Sequence, residues 1–237
     1  MKKVIITTMF LCTLSTMSFG QKTIKGNGII ETVERKTASY DRLTLIGSPD
    51  VELVSGIEGN IIIKAESNII PFVETIVKDN ELIIRFKEKH NYTTKKGLKI
   101  IVPIQDVSNI ALKGSGDIYG DHLFKDSNLN VSVNGSGDIS IHVENENLNA
   151  EVVGSGDIKI KGKTNRFNGK VEGSGDLEAK NLKAKSSNLQ VSGSGDIEST
   201  TENEVNANLT GSGDITIYGN PTKISKNIKG SGDISIK

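Results

Sequence analysis

Val133-Asn134-Gly135-Ser136-Gly137-Asp138-Ile139-Ser140-Ile141 is one of seven places where this 237-residue chain writes Gly-Ser-Gly-Asp followed by Ile or Leu. The copies start at Gly114, Gly135, Gly154, Gly173, Gly193, Gly211 and Gly230, at steps of 21, 19, 19, 20, 18 and 19 residues. A tetrapeptide returning at so regular an interval means that one supersecondary unit is stacked on itself. Two residues before each motif stand Leu112, Val133, Val152, Val171, Val191, Leu209 and Ile228, and four residues after its first glycine stand Ile118, Ile139, Ile158, Leu177, Ile197, Ile215 and Ile234. Every member of both columns is aliphatic, and polar residues such as Ser132, Glu151 and Lys170 alternate with them. Period two on both sides of a glycine-rich corner reads as strand, tight turn, strand.

One step further out the inward positions are more permissive: Ile110, Val131, Ala150, Gly169, Leu189, Ala207 and Lys226 before the motif, and Gly120, Ile141, Ile160, Ala179, Ser199, Ile217 and Ile236 after it. The core is therefore surest beside the corner, where Gly-Ser-Gly supplies the backbone freedom for a sharp bend. The variation in step length is expected in polar segments such as Glu144-Asn145-Glu146-Asn147 and Thr200-Thr201-Glu202-Asn203, read as the loops that complete each coil. An antiparallel meander and a parallel β-solenoid both satisfy the pattern. Stacked coils bring identical residues into register and so account for one corner sequence being kept, which a meander does not require. With coils about 4.8 Å apart, six steps advance the chain by roughly 29 Å, a short rod.

Residues 21–107 are β-rich without a tidy repeat. Alternation marks Asp41 to Ile46, Val51 to Val54, Ile61 to Ala65, Glu81 to Phe86 and Leu98 to Val102 as strands, separated by turn-like pieces such as Lys78-Asp79-Asn80. Gly47-Ser48-Pro49-Asp50-Val51 reads as an eighth, degraded motif. A cap is a natural role for this region, because a bare solenoid end exposes unpaired strand edges. At the other end the sequence stops four residues after Asp233, so end-to-end self-association is an available mode.

The first twenty residues have the form of a cleaved export signal. Lys2 and Lys3 give the basic start, Val4 to Met17 the apolar stretch, and Ser18-Phe19-Gly20 the small residues read before cleavage at Gln21. The apolar run is short and interrupted for a spanning helix, which needs roughly 20 residues. Cys12, the only cysteine, lies inside the signal behind Leu11 rather than a small residue, so lipid anchoring is not expected and no disulfide is available to the exported part. Without Lys2 and Lys3 the chain carries 27 basic and 29 acidic residues, which gives no electrostatic case for nucleic acid or an anionic membrane. Aromatic residues are 4% with no Trp, which suits narrow stacked strands better than a core of large rings.

The motif aspartates Asp117, Asp138, Asp157, Asp176, Asp196, Asp214 and Asp233 are expected to form a column down one edge. Unit charges about 5 Å apart repel by roughly 0.8 kcal/mol in water, so the column is a candidate cation site of oxygen-ligand type. The alternative is that each carboxylate accepts N–H groups of the turn or the neighbouring coil, with salt screening the remainder. That reading is the more economical, because calcium-binding nonapeptide repeats are half as long and space Asp differently. The motif serines, Ser115 to Ser231, fit a hydroxyl ladder within the turns rather than nucleophiles, since His90, His122 and His142 do not follow the repeat. The same scarcity of His and Cys leaves no zinc spacing. No catalytic residue and no cofactor is called for. A polysaccharide-cleaving β-helix would want clustered carboxylates and an aromatic platform, whereas Tyr119 and Tyr218 stand as isolated rings read as edge packing.

The progression Tyr40-Asp41-Arg42-Leu43, Gly47-Ser48-Pro49-Asp50-Val51-Glu52-Leu53, Asn68-Ile69-Ile70-Pro71-Phe72-Val73-Glu74-Thr75, Glu81-Leu82-Ile83-Ile84 and then the repeated Gly-Ser-Gly-Asp-Ile resembles the putative auto-transporter adhesin family with the head GIN domain, found in exported proteins of Bacteroidetes-type bacteria. The likeness covers about residues 28–237. It implies a right-handed β-helix-like solenoid outside the cytoplasm and brings no catalytic residues with it. The expectation is thus an all-β protein. Its parts are a cleaved signal at 1–20, an irregular β-rich part or cap at 21–107 and a regular solenoid of about seven coils of 18–21 residues at 108–237. Its function is that of an exported non-enzymatic adhesin or binding scaffold, at the cell surface, in the periplasm or outside the cell, with a surface, glycan or protein as ligand. A structural or assembly protein of the envelope shares these features.

Overall fold

The computed structural model describes residues 22–87 and 90–237. The proposed export signal, its cleavage point and Cys12 lie outside the described residues. The chain opens with β1 (Lys22–Lys25), β2 (Ile30–Lys36), β3 (Arg42–Gly47), β4 (Asp50–Ser55) and β5 (Asn60–Glu66). A single 3-10 turn at Ile70–Phe72 follows, then β6 (Val73–Lys78), β7 (Glu81–Phe86), β8 (His90–Thr93), β9 (Lys99–Ile104) and β10 (Asn109–Gly114). Five long strands come next: β11 (Ile118–Gly135), β12 (Ile139–Gly154), β13 (Ile158–Gly173), β14 (Leu177–Gly193) and β15 (Ile197–Gly211). The described chain closes with β16 (Ile215–Tyr218), β17 (Lys223–Gly230) and β18 (Ile234–Ile236).

From β10 onward every pairing is parallel, which settles the architecture as a β-solenoid. The first glycines of the seven motifs lie directly over one another, and Gly47 extends the column below Gly114. The degraded motif is thus the lowest corner of the same stack, with Val51 under Ile118. Beneath it the sheet changes character: β3 rests on β7 in parallel, but β6 pairs antiparallel to β7, and β5 runs antiparallel to both β2 and β9. The lower part of the stack is thus built with antiparallel pairs, β6 with β7 and β5 with β2 and β9. Arg35 of β2 fastens it, donating from Nη2 to the Ile70 carbonyl at 2.8 Å and from Nη1 to the Val73 carbonyl.

Both aliphatic columns point inward, with Leu112 to Leu209 and Ile118 to Ile215 at most 1% exposed. Within a coil the inward set is, for example, Ile139, Ile141 and Val143, then Leu148, Ala150 and Val152. The jump from 143 and 145 to 148 turns the chain at Glu146-Asn147 while the ladder continues.

Two sequence expectations are corrected here. The polar segments Glu144–Asn147 and Thr200–Asn203 are not loops but parts of β12 and β15. The differences in step length are absorbed by register shifts, after the corner between Gly120 and Leu123, between Lys159 and Gly162 and between Ala179 and Lys183, and, as expected, within the Thr200–Asn203 segment, where Thr201 to Glu204 faces Ala184 to Ser186. A bulge extrudes its extra residues, as at the fully exposed Asp121 side chain, and leaves the inner columns aligned. The other correction is Ile228, which is 43% exposed although its column is buried elsewhere. It lies on β17, whose eight residues are all exposed, because no described strand packs beyond them.

Candidate binding faces and the Gly-Ser-Gly-Asp corner

The corner is built from backbone. In each copy the N–H groups of Ser and of the second Gly both donate to the first-Gly carbonyl of the coil below, at 2.8 to 2.9 Å and 3.0 to 3.3 Å. So close an approach leaves no room for side chains. A Cβ at Gly135 or Gly193 would stand 2.2 Å from that carbonyl oxygen, and φ there is +141° and +138°. At the second glycines, Gly156 for instance, φ is unremarkable but an added Cβ would still stand 2.1 Å from the Gly137 oxygen. Pro49 occupies this place in the lowest copy, where no described Gly-Ser-Gly corner lies beneath Gly47.

The aspartates do form the expected column, and each has a defined partner. Oδ1 of Asp50, Asp117, Asp138, Asp157, Asp176, Asp196 and Asp214 accepts the main-chain N–H of the next aspartate at 2.7 to 3.2 Å. One carboxylate oxygen per coil is therefore spent on stacking, as the more economical alternative required. Partial burial holds the Asp50 and Asp176 carboxyls above the ordinary carboxylate value, with the neighbouring acidic groups adding to the effect. Among the described residues no cluster of three or more His, Cys, Asp or Glu has the form of a metal site.

The motif serines do not make the expected hydroxyl ladder. Ser115, Ser136, Ser155, Ser174, Ser194, Ser212 and Ser231 are exposed, and only their backbone N–H groups are engaged. Ordered hydroxyls occur elsewhere: Ser187, Ser199 and Thr201 form a buried trio, with Ser187 Oγ and Thr201 Oγ1 2.7 Å apart.

A ladder that sequence reading missed lies five residues before six of the seven motifs, with Ser225 in the last. Asn109, Asn130, Asn149, Asn168, Asn188 and Asn206 share one register position, and Asn149 and Asn168 each donate from Nδ2 to the Oδ1 below at 2.8 and 2.7 Å. The signal was present in the column alignment, but inspection of aliphatic positions passed over it. Five of them, Asn109 to Asn188, line a groove of about 390 Å³ together with Val131, Ala150 and Gly169. A wider polar trough of about 690 Å³ follows the opposite corner, where Lys125, Glu144 and Lys163 occupy successive coils. Neither Tyr119 nor Tyr218 is simple edge packing: Lys99 Nζ lies 5.6 Å from the Tyr119 ring, and Lys180 Nζ lies 4.3 Å from that of Tyr218, whose hydroxyl donates to Glu198 at 2.8 Å. His122 packs edge-on against Phe124, which leaves it in a structural contact.

These features define a parallel β-solenoid whose repeated motif stacks coil on coil through its backbone and one aspartate oxygen, and whose outward faces are polar. The chain belongs to the family described as "Putative auto-transporter adhesin, head GIN domain", whose model matches residues 39–221. Among solved structures it is similar to a putative adhesin from Bacteroides fragilis, at 25% identity and TM-score 0.86 over 90% of this chain and 100% of that one. It is also similar to a putative lipid binding protein from Parabacteroides distasonis, at 26% identity and TM-score 0.78 over 91% and 100%. A putative adhesin from the same species, at 22% identity, TM-score 0.74 and coverage of 91% and 100%, shares the fold. No curated protein matches the chain. No described helix is long and apolar enough to cross a membrane.

Proposed function

We propose that this protein is an exported, non-enzymatic adhesin that works as a rigid scaffold, holding repeated polar side chains at the coil spacing for a surface, glycan or protein ligand. Cleavage of residues 1–20 before Gln21 belongs to this reading, as does the division into a lower part at 21–107 and the regular coils at 108–237. The observation that carries it is the repetition of outward polar side chains on successive coils, where Asn149, Glu151, Lys170 and Gln190 line one open groove while the corner backbone is engaged by the neighbouring coil. Family membership and the adhesin names of the similar structures support it.

The envelope-assembly alternative is favoured by one observation, the exposure of Ile224, Ile228 and Ile236 at the upper end of the described stack. Screening the protein on arrays of glycans and matrix proteins, with sedimentation across concentration, separates the two. Saturable binding by a monomer is expected. Concentration-dependent association without array binding favours assembly and overturns the adhesive reading.

A further inference from the structure

The most convergent unassigned hollow lies where the lower sheets meet the first coil. Its volume is about 300 Å³, and five strands and one loop supply its walls: Ile30 from β2, Asp50 from β4, Lys64 from β5, Lys96 from the loop before β9, Lys99 from β9 and Tyr119 from β11. That size, with an apolar wall and a few converging polar groups, is the form of a small-ligand site.

Its charges are not those of a finished surface. Lys64 and Lys99 are directly opposite one another on antiparallel β5 and β9, an arrangement that places like charges on one face at close range and opposes pairing. Lys99 is compensated, with Nζ 2.9 Å from Glu52 Oε2 and beside the Tyr119 ring. Lys64 and Lys96 make no ion pair among the described residues, although nine acidic side chains, Glu52 beside Lys99 among them, are bridged by lysine or arginine at 4.0 Å or less. An anion in the hollow would relieve that repulsion through charge-assisted hydrogen bonds.

The remaining walls narrow the class of anion. Tyr119 is half-buried and offers a ring face beside the cations, and Ile30 is 39% exposed, so two apolar surfaces flank the charge. Asp50 Oδ1 accepts the Asp117 N–H at 3.2 Å, and its carboxylate lines the hollow as an acceptor beside the lysines. An inorganic anion uses only the lysines. A carboxylated sugar uses all of them: carboxylate on Lys64 and Lys96, a ring face on Tyr119, a hydroxyl on Asp50.

We propose that this hollow binds a carboxylated sugar, of uronic or sialic type, presented on a surface glycan. The proposal rests on the adhesive reading and gives it a ligand class. The test is calorimetric titration of the protein with glucuronic acid, N-acetylneuraminic acid, glucose and inorganic phosphate, repeated on Lys64→Gln/Lys96→Gln, Lys64→Glu/Lys96→Glu and Tyr119→Ala.

At least one acidic sugar is expected to bind tenfold or more tightly than glucose or phosphate, and the two acids identify which type is taken. Each lysine pair variant and Tyr119→Ala are expected to weaken that binding at least tenfold, with the melting midpoint of the lysine variants not lowered, since the Lys64–Lys99 repulsion is relieved. Binding of glucose or phosphate as tight as that of the acidic sugars, or acidic-sugar binding unchanged in the lysine variants or in Tyr119→Ala, overturns the proposal. Array binding that survives Lys64→Glu/Lys96→Glu removes this site and leaves the adhesive reading standing. Titration at the site by a protein that adheres to nothing does the reverse.

Discussion

At Gly137, Gly156 and their equivalents, a single hydrogen in place of a side chain lets one coil rest on another. The second glycine has no unusual φ to explain it, so its presence comes from the 1.8 to 2.1 Å that would separate an added Cβ from the carbonyl beneath. Pro49 is the internal control, because it holds the same place where no described corner lies below. Gly156→Ala is therefore expected to destabilise by about 2 to 3 kcal/mol, the range of a substitution that forces packed groups apart. Pro49→Gly changes mainly the freedom of the unfolded chain and is expected to cost about 1 kcal/mol or less. Urea unfolding of the two variants checks the contrast, and equal losses would mean that contact with the coil below is not what selects glycine.

At the scale of elements, the lower part is held by buried polar contacts that the repeat does not supply. Glu66, at the end of β5, is 0% exposed and accepts the Thr94 hydroxyl at 2.7 Å, the Lys95 N–H at 2.9 Å and the Gly28 N–H at 2.6 Å, so it ties two loops to one strand. The Thr94 hydroxyl first, and then these backbone N–H groups against the opposing effect of burial, hold its carboxyl below the ordinary value of 4.5. Its contribution to stability is full above that value and is lost as pH falls through the lowered one. Asp50 and Asp176 act in the opposite sense: held above 3.8 chiefly by burial, they favour the folded state below 3.8 and lose that contribution as pH rises through their raised values. Melting between pH 2 and pH 7 is expected to show Glu66→Gln less stable than the parent at neutral pH and with a shallower acid loss. Asp176→Asn is expected to steepen the acid loss, since the opposing group is gone. An acid profile unaltered by either change would contradict these assignments.

The same elements show what the sequence disclosed. Strands β3, β4, β5, β7 and β9 were legible because one of their faces is buried and writes period two. β2 was not, since its seven residues are all exposed or half-buried and it is held by main-chain pairing to β5. The corner glycines were legible as turn-formers, but their stacking role needed the neighbouring coil. The hollow at Lys64, Lys96 and Tyr119 could not be read at all, because its walls come from positions 30 to 119 that only the lower sheets bring together.

For the whole molecule, stacking in register makes the coil rather than the domain the unit of stability. Each long strand contacts the next along its full length, as β12 does from Ile139 to Gly154, and contacts beyond the nearest coil are few. In such a one-dimensional stack each coil adds its own term and one interface. A rod of this kind can lose or gain a coil without altering the faces on either side, which suits a scaffold whose binding rows run along it.

That independence is the central claim, and deleting one coil tests it most directly. Removal of residues 155–173 joins Gly154 to Ser174, restores Gly-Ser-Gly-Asp-Leu at the junction and takes out 19 residues. The account predicts a folded protein with a single cooperative transition, an unchanged β-type circular dichroism spectrum per residue and a lower melting midpoint. A chain that no longer folds, when the deletion leaves every inner column and corner in register, would contradict it.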